Sequence, residues 1–184
     1  MKKVIIVHGW EASPEANWFP WLKNELEMRN FIVEVPAMPN TINPTLEVWL
    51  GHLKKIAGEP SENTFFVGHS LGVITILRYL ESLEGKKVGG VVLVAGFPEP
   101  IIYEELNSFF TKPLDYQRVK KATDKIVAIH SDNDPHVPLK NGEILKEKIG
   151  AKLVIIPNAG HLNSGDGFGK LPIALEAVLE MANS

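Results

Sequence analysis

A serine between two glycines is the residue of this chain with the clearest chemical potential. Residues 68–72 read Gly-His-Ser-Leu-Gly, with the serine at Ser70. They stand between a predicted short buried strand at 63–67 and a predicted helix at 73–83. A G-x-S-x-G run between a strand and a helix is typical of a nucleophile elbow, a strained turn that exposes the serine hydroxyl. The pattern alone also fits a glycine-rich loop that merely begins a helix, so its context must decide.

A nucleophilic serine needs a general base, because a free hydroxyl is hardly ionised at neutral pH. The loop at 158–161, Asn-Ala-Gly-His, follows the last predicted strand and contains His161. A lone loop histidine is usually only solvated, but a histidine that follows the last strand suits the base of a serine nucleophile. We therefore predict that His161 takes the proton of Ser70.

The base must itself be oriented by an acid that stabilises the imidazolium. The loop at 131–138 follows the fifth predicted strand and holds two aspartates. We predict that Asp134 is the acid, because Pro135 biases it toward an extended backbone and so helps to fix its carboxylate. Asp132 is the competing candidate, although it could instead hold the loop as a turn residue.

Backbone N–H groups near the serine are candidates for an oxyanion hole. Leu71 follows Ser70 at a helix N-terminus, and Trp10 leaves the first predicted strand. We predict that these two N–H groups stabilise the negative charge of the reaction. Trp10 also fits a simple loop aromatic that packs on a cap. The residues that we predict for an apolar substrate pocket are Trp10, Phe97, Phe109 and Phe110.

The remaining side chains do not indicate a cofactor. A metal site built from loop residues is conceivable, but their spacing matches no usual ligand pattern, so we expect neither a metal nor a cofactor. The residues of that conceivable site are His130, Asp132, Asp134 and His136. The chain has no cysteine, which excludes disulfides, thiolate nucleophiles and thiolate metal sites.

Apolar patterns predict the elements that position these loops. Continuous apolar runs indicate strands covered on both faces, and they lie at 4–7, 31–35, 64–67, 90–95, 125–130 and 152–156. Amphipathic helical patterns separate them. This alternation predicts an α/β fold with a doubly wound, mainly parallel sheet of about six strands. The carboxyl ends of such strands share one edge, where the serine, acid and histidine loops can meet.

The segment 97–123 interrupts the alternation, because it carries three prolines among scattered apolar residues. We predict a small helical cap over the strand ends, and the alternative is an ordinary crossover helix. The chain shows no linker, repeat or low-complexity tract, so residues 1–184 are predicted to form a single domain.

Composition argues against some classes of partner. The net charge is -3 and no run rich in lysine and arginine occurs, which argues against nucleic-acid binding. No apolar stretch is long enough to span a bilayer, and the N-terminal one is too short for a signal peptide. We therefore expect a cytoplasmic protein that acts on a small-molecule substrate and has no nucleic-acid or membrane partner.

Taken together, these motifs resemble those of small α/β-hydrolases, and more narrowly of the YdeN-type serine hydrolases, relatives of retinoblastoma-binding protein nine. The likeness covers nearly the whole chain and rests on His8-Gly9-Trp10, 17–22 (NWFPWL), 38–40 (MPN), the serine, acid and histidine loops, and 165–169 (GDGFG). It implies a catalytic triad of Ser70, Asp134 and His161 on a compact sheet with little cap. It implies no particular substrate.

Two functions fit these observations. The first is a cofactor-free serine hydrolase that cleaves a carboxylic ester through an acyl-enzyme on Ser70; thioester or amide cleavage shares the same tetrahedral chemistry. The second is a protein-interaction module on a catalytically idle or weakly active hydrolase scaffold. Such a module would ordinarily lack a member of the triad, and none is missing here, so we predict the hydrolase.

Overall fold

A six-stranded sheet runs through the computed structural model, which describes residues 1–184. Its strands are β1 (Lys3–Val7), β2 (Ile32–Glu34), β3 (Thr64–His69), β4 (Gly90–Val94), β5 (Ile126–Ser131) and β6 (Lys152–Ile156). The spatial order is β2-β1-β3-β4-β5-β6, and every neighbouring pair is parallel. The predicted α/β architecture is therefore confirmed, and all the predicted strands are present.

Helices cover both faces of this sheet. They are α1 (Phe19–Glu27), α2 (Leu46–Ala57), α3 (Leu71–Glu81), α4 (Tyr116–Ala122), α5 (Lys140–Ile149) and α6 (Pro172–Asn183). α1 and α6 pack on one face, and α2 to α5 pack on the other, which gives two apolar layers. The central strands β3, β4 and β5 are buried along their whole length, which explains their unbroken apolar sequence.

The helix that follows the serine is the most deeply buried of the six. All 11 residues of α3 are buried, because α2 and α4 flank it on the sheet. It begins at Leu71, two residues before the predicted helical pattern, since the turn at Ser70 leads directly into the helix. No helix of the structure is long and apolar enough to cross a lipid bilayer.

The strand order reverses between β1 and β3. The chain leaves β1 for the edge strand β2 and then returns to β3 on the other side of β1. In open parallel sheets, ligands bind at the carboxyl ends of the strands at such a switch point. The loop after β1 carries Trp10, and the turn after β3 carries Ser70, so both lie at this point.

The segment between β4 and β5 divides into two parts. Its first part contains a 3-10 helix, Glu104–Phe110, and lies beside the switch point. Its second part is α4, which packs against α3 and α5 as a crossover helix of the sheet. The segment 97–123 therefore has two roles. Residues 97–113, the covering stretch, lie over the strand ends, and α4 is the ordinary crossover helix that was the alternative to a cap.

A buried ion pair attaches the covering stretch to α3. The Arg78 guanidinium lies 3.0 Å from the Glu81 carboxylate, and both side chains are almost fully buried. The same guanidinium donates to the backbone carbonyls of Phe109, Lys112 and Pro113. The helix that begins at the elbow thus also holds the end of the stretch that covers the neighbouring cleft.

Candidate active site

Ser70 occupies a strained turn between β3 and α3. Its φ is 53° and its ψ is -118°, a positive-φ conformation that is uncommon for any residue other than glycine. A conformation of this kind costs about 1–3 kcal/mol and persists only where surrounding contacts hold it. One such contact is the hydrogen bond from the Ser70 N–H to the Val94 carbonyl at 3.0 Å. The side chain remains half-buried at the end of the sheet.

The two glycines of the motif allow close packing at this turn. A Cβ on Gly72 would lie 2.2 Å from the Val7 carbonyl oxygen, which is backbone and cannot yield. A Cβ on Gly68 would lie 2.8 Å from a methyl group of Ile76. The start of α3 therefore passes directly against β1, and only glycine fits at this crossing.

His161 and Asp134 form a hydrogen-bonded pair beside the serine. The His161 Nδ1 lies 2.7 Å from Asp134 Oδ2, and the Asp134 side chain is only 2% exposed. The other carboxylate oxygen accepts the backbone N–H groups of His136 and Val137 at 2.8 and 2.9 Å. Because the carboxylate can only accept, His161 carries a proton on Nδ1 and leaves Nε2 free to accept one in its neutral form.

The environment of Asp134 keeps its carboxylate charged. Burial alone would raise the pKa of Asp134, but the hydrogen bond and charge interaction with His161 and the two backbone N–H groups outweigh it. The pKa of Asp134 is therefore lowered below its ordinary value. A charged acid behind Nδ1 can stabilise the imidazolium that forms when His161 accepts a proton.

Ser70 and His161 line the same cleft at the carboxyl end of the sheet. The Ser70 hydroxyl and the His161 ring make no hydrogen bond with one another in the unliganded structure. Nucleophile–base hydrogen bonds are often long before substrate binds and tighten in the reacting complex. The structure therefore brings Ser70 and His161 to one cleft, with the contact between His161 and Asp134 already made.

Two backbone N–H groups beside Ser70 are available to an oxyanion. The Trp10 N–H has no acceptor in the structure, and the Leu71 N–H opens α3, where no intrahelical partner exists. The loop after β1 lies close to the serine, since a Cβ on Gly9 would lie 3.1 Å from the Ser70 Cβ. The predicted donors thus come from adjacent loops at the switch point.

His8 fixes the loop that carries Trp10. Its Nε2 accepts the Met38 N–H at 3.0 Å, so its Nδ1 carries the proton and donates to the Gly9 carbonyl at 2.8 Å. Burial lowers the pKa of His8 and favours this neutral form. A histidine beside a glycine turn is expected to shape its loop through hydrogen bonds, but its partner Met38 is distant along the chain and is known only from the structure.

The cleft has a volume of about 280 Å³ and largely apolar walls. Its lining residues are Trp10, Glu11, Ser70, Phe97, Ile101, Tyr103, Leu106, His136, Val137 and His161. Two of the four predicted wall residues, Trp10 and Phe97, lie on it. The Tyr103 hydroxyl and the His136 Nδ1 are 2.6 Å apart, which ties the covering stretch to the acid loop.

The prediction that Phe109 and Phe110 line the cleft is wrong. Phe109 is fully buried and packs edge-on against Trp49, with ring centroids 6.0 Å apart. Phe110 packs on Phe97, with centroids 5.9 Å apart, and does not line the cleft. The 3-10 helix directs these side chains away from the cleft, a direction that apolar composition alone does not specify.

A second groove adjoins the cleft and shares Ile101 and His136 with it. The groove has a volume of about 450 Å³ and is mostly apolar. Its other lining residues are Glu99, Pro100, Ile102, Pro135, Pro138, Lys140, Asn141 and Ile144. Ile102 is 80% exposed, so the groove is open to solvent. The space next to Ser70 therefore extends beyond the cleft itself.

The residues of the conceivable metal site do not converge. Asp134 is engaged by His161, whereas Asp132 accepts the Asn158 N–H at 2.8 Å. His130 is fully buried with both ring nitrogens unpaired, and burial lowers its pKa to about 4. No group of three or more potential ligand side chains is close enough to hold an ion. Asp132, the competing acid, holds a loop rather than the His161 ring.

A family model described as "Serine hydrolase" matches residues 4–180. The YdeN protein of Bacillus subtilis (strain 168) is 36% identical over 179 residues, which cover 96% of this chain and 94% of that protein. The crystal structure of the ydeN gene product from that organism superposes with a TM-score of 0.96 at 34% identity and covers 100% of both chains.

More distant matches agree with these. Serine hydrolase RBBP9 of Rattus norvegicus is 26% identical over 167 residues, which cover 88% of each chain. The structure of Est1E from Butyrivibrio proteoclasticus superposes with a TM-score of 0.76 at 16% identity and covers 100% of this chain and 89% of that one. At that identity the last likeness shows a shared fold alone.

Proposed function

Because this chain belongs to the serine hydrolase family, we propose that it hydrolyses a carboxylic ester of a small substrate through an acyl-enzyme on Ser70. One observation carries the proposal: a buried, charged Asp134 is hydrogen-bonded to His161 in the cleft that Ser70 also lines. A histidine held in this tautomer beside a strained serine is the arrangement that activates a hydroxyl nucleophile.

The reaction proceeds in two halves. In the first, the Ser70 Oγ attacks the ester carbonyl carbon while His161 Nε2 takes the hydroxyl proton. The carbonyl oxygen becomes an oxyanion that accepts hydrogen bonds from the N–H groups of Trp10 and Leu71. As the tetrahedral intermediate collapses, the C–O bond to the alcohol breaks and the imidazolium returns its proton to the leaving oxygen. This leaves an acyl-enzyme and a neutral His161.

The second half releases the acid. His161 Nε2 accepts a proton from water, whose oxygen attacks the acyl carbon, and the same N–H groups hold the second oxyanion. When the bond to the Ser70 Oγ breaks, the proton passes back to the serine and the carboxylic acid leaves. Asp134 stays charged throughout and stabilises the imidazolium in each half.

The walls of the cleft favour an apolar acyl or alcohol group near the reacting ester. The cleft alone, at about 280 Å³, has room for a small group, and the adjoining groove of about 450 Å³ offers space for a longer one. Ligand sites usually measure about 300–1,000 Å³, a range that the two spaces reach together. Thioesters and amides pass through the same tetrahedral geometry, so the substrate series should include both.

Active-site labelling tests the proposal. Purified wild type, Ser70→Ala and the control Ser61→Ala would be treated with a fluorophosphonate probe and with p-nitrophenyl acetate, butyrate, octanoate and laurate. Ser61 is an exposed serine at the opposite end of β3. We expect labelling and turnover in wild type and Ser61→Ala, and neither in Ser70→Ala. No labelling of wild type, and no turnover of any ester, thioester or amide, would contradict the proposal and favour an interaction scaffold.

A further inference from the structure

The loop that carries His161 has a strained backbone. Asn158, Gly160 and Leu162 all have positive φ angles, of 54°, 55° and 54°. Glycine accepts this conformation and asparagine tolerates it, but a leucine there is unusual. A backbone of this kind persists only when neighbouring groups over-determine it. The contacts that hold this loop are therefore informative.

Four consecutive N–H groups of this loop donate to side-chain oxygens. The pairs, with their N···O distances, are Asn158 with Asp132 Oδ1 (2.8 Å), Ala159 with Ser131 Oγ (2.9 Å), Gly160 with Asn133 Oδ1 (2.8 Å) and His161 with Asp166 Oδ2 (2.7 Å). A loop normally leaves such groups to water. Here every amide from the end of β6 to the histidine has a side-chain acceptor.

Two side chains hold the carbonyl groups of the same loop. The His69 Nε2 donates to the His161 carbonyl at 2.9 Å, and the Trp18 indole N–H donates to the Leu162 carbonyl at 2.9 Å. Both donors are buried beneath the loop. Burial lowers the pKa of His69 to about 3, so its ring stays neutral and keeps this single donor role at neutral pH.

Three of the four acceptors come from the loop that also supplies Asp134. Ser131 donates its hydroxyl to Asn133 Oδ1 at 2.7 Å, so that oxygen accepts twice and its orientation is determined. The next residue in that loop, Asp134, then binds the His161 ring. One loop thus sets both the backbone of the histidine loop and the direction of the imidazole.

On the basis of the function proposed above, we propose that Asp132, Asn133 and Asp166 are positioning residues. Their side-chain oxygens hold the strained histidine loop so that the His161 ring lies between Asp134 and the Ser70 hydroxyl. All three side chains belong to exposed residues, so they contribute little to the apolar core. Their removal therefore alters the placement of the base more than the stability of the fold. A misplacement of about 1 Å can lower a catalytic rate about a hundredfold.

Alanine and conservative variants test this role. The alanine variants Asn133→Ala and Asp166→Ala lose the acceptor, whereas Asn133→Asp and Asp166→Asn keep an acceptor oxygen. Asp124→Ala is the matched control. Asp124 is an exposed aspartate without a hydrogen bond, and it precedes β5 at the end of the sheet opposite the cleft. The values of kcat and KM for p-nitrophenyl butyrate would be normalised to the sites titrated with fluorophosphonate.

We expect kcat per titrated site to fall about ten- to a hundredfold in the alanine variants, with KM changed less than about twofold. The conservative variants should recover most of the loss, and Asp124→Ala should match wild type. The NMR resonance of the His161 Nδ1 proton should be sharp in wild type and should broaden or disappear in the alanine variants. That readout follows the ring position and does not depend on turnover.

Three results would overturn the positioning role. The first is a kcat in both alanine variants within about twofold of Asp124→Ala. The second is an equal loss in alanine and conservative variants, which would deny the role of the acceptor oxygen. If either alanine variant fails to fold, kcat per titrated site is compared between Asp132→Ala and Asp132→Asn instead. The third is a wild type without labelling or turnover, which would overturn the proposed function as well, whereas an active wild type with unaffected variants overturns positioning alone.

Discussion

Acid should destabilise this protein through its buried histidines, and His130 allows the effect to be measured. The His130 ring is fully buried, neither nitrogen has a partner, and burial lowers its pKa to about 4. In the unfolded chain a histidine has a pKa near 6.5. Between pH 4 and pH 6.5, roughly the two pKa values, the His130 ring is protonated in the unfolded state but stays neutral in the folded state. Stability is therefore lost as the pH falls from about 6.5 to about 4, and the loss ends below that.

The size of the effect follows from the unfolded-state titration. Between pH 7 and pH 5, protonation favours the unfolded state by about 2 kcal/mol for each histidine that stays neutral when folded. His69 is buried as well, with its pKa lowered to about 3, so it should contribute a similar amount. Together the two rings should remove about 4 kcal/mol over this interval, a large part of a typical stability of about 5–15 kcal/mol.

Urea unfolding followed by tryptophan fluorescence at pH 7, 6 and 5 measures this loss. The variant His130→Leu removes one buried ring and should lose about 2 kcal/mol less than wild type between pH 7 and pH 5. Groups common to both proteins cancel in that difference. Equal pH dependence in wild type and His130→Leu would refute the reasoning.

Further substitutions test the local roles proposed for Asp134, Gly72 and Arg78. Asp134→Asn should lower kcat about ten-thousandfold, as expected for loss of the correct imidazole tautomer, whereas Asp132→Asn keeps its loop contact and should stay close to wild type in ester turnover. Gly72→Ala should prevent folding, as seen in soluble yield and circular dichroism, because its Cβ would meet backbone at 2.2 Å. Gly51→Ala, inside α2 with open space around its Cβ, should instead raise stability by about 0.4–1 kcal/mol in urea unfolding. Arg78→Ala should lower stability by about 3–5 kcal/mol, because it removes the buried guanidinium at 3.0 Å from Glu81 and leaves that carboxylate only the exposed Lys112 ammonium at 3.7 Å as a charged partner; a loss below about 1 kcal/mol would contradict this.

The fold could be predicted from local patterns in the sequence, because each buried strand needs an apolar residue at every position. A strand that is buried on both faces must be apolar at every position, so β1, β3, β4 and β5 are recognisable from continuous runs. The elbow is recognisable for a similar reason. Only glycine fits where the start of α3 crosses β1, so the packing of these two elements requires the glycine that the motif contains.

The segment between β4 and β5 was harder to predict. Its prolines and scattered apolar residues fit both a cap and a crossover helix, and the structure contains a part of each. Phe109 and Phe110 looked equivalent to Phe97, yet only Phe97 lines the cleft. One signal for the position of this segment was available in the sequence, namely Arg78 and Glu81 within the otherwise apolar pattern of α3. Two charges on a buried helix require partners, and the end of the covering stretch supplies carbonyl groups to Arg78.

The sequence by itself determined the order of strands and helices, the elbow at Ser70 and the loops that carry Asp134 and His161. Each of these depends on contacts between residues close together in the chain or on the burial of a whole element. Only the tertiary structure decided which aspartate lies behind His161, which aromatic residues line the cleft and what holds the histidine loop. These depend on the direction of single side chains, and that direction is set by partners far away in sequence, such as Asn158 for Asp132 and Trp49 for Phe109.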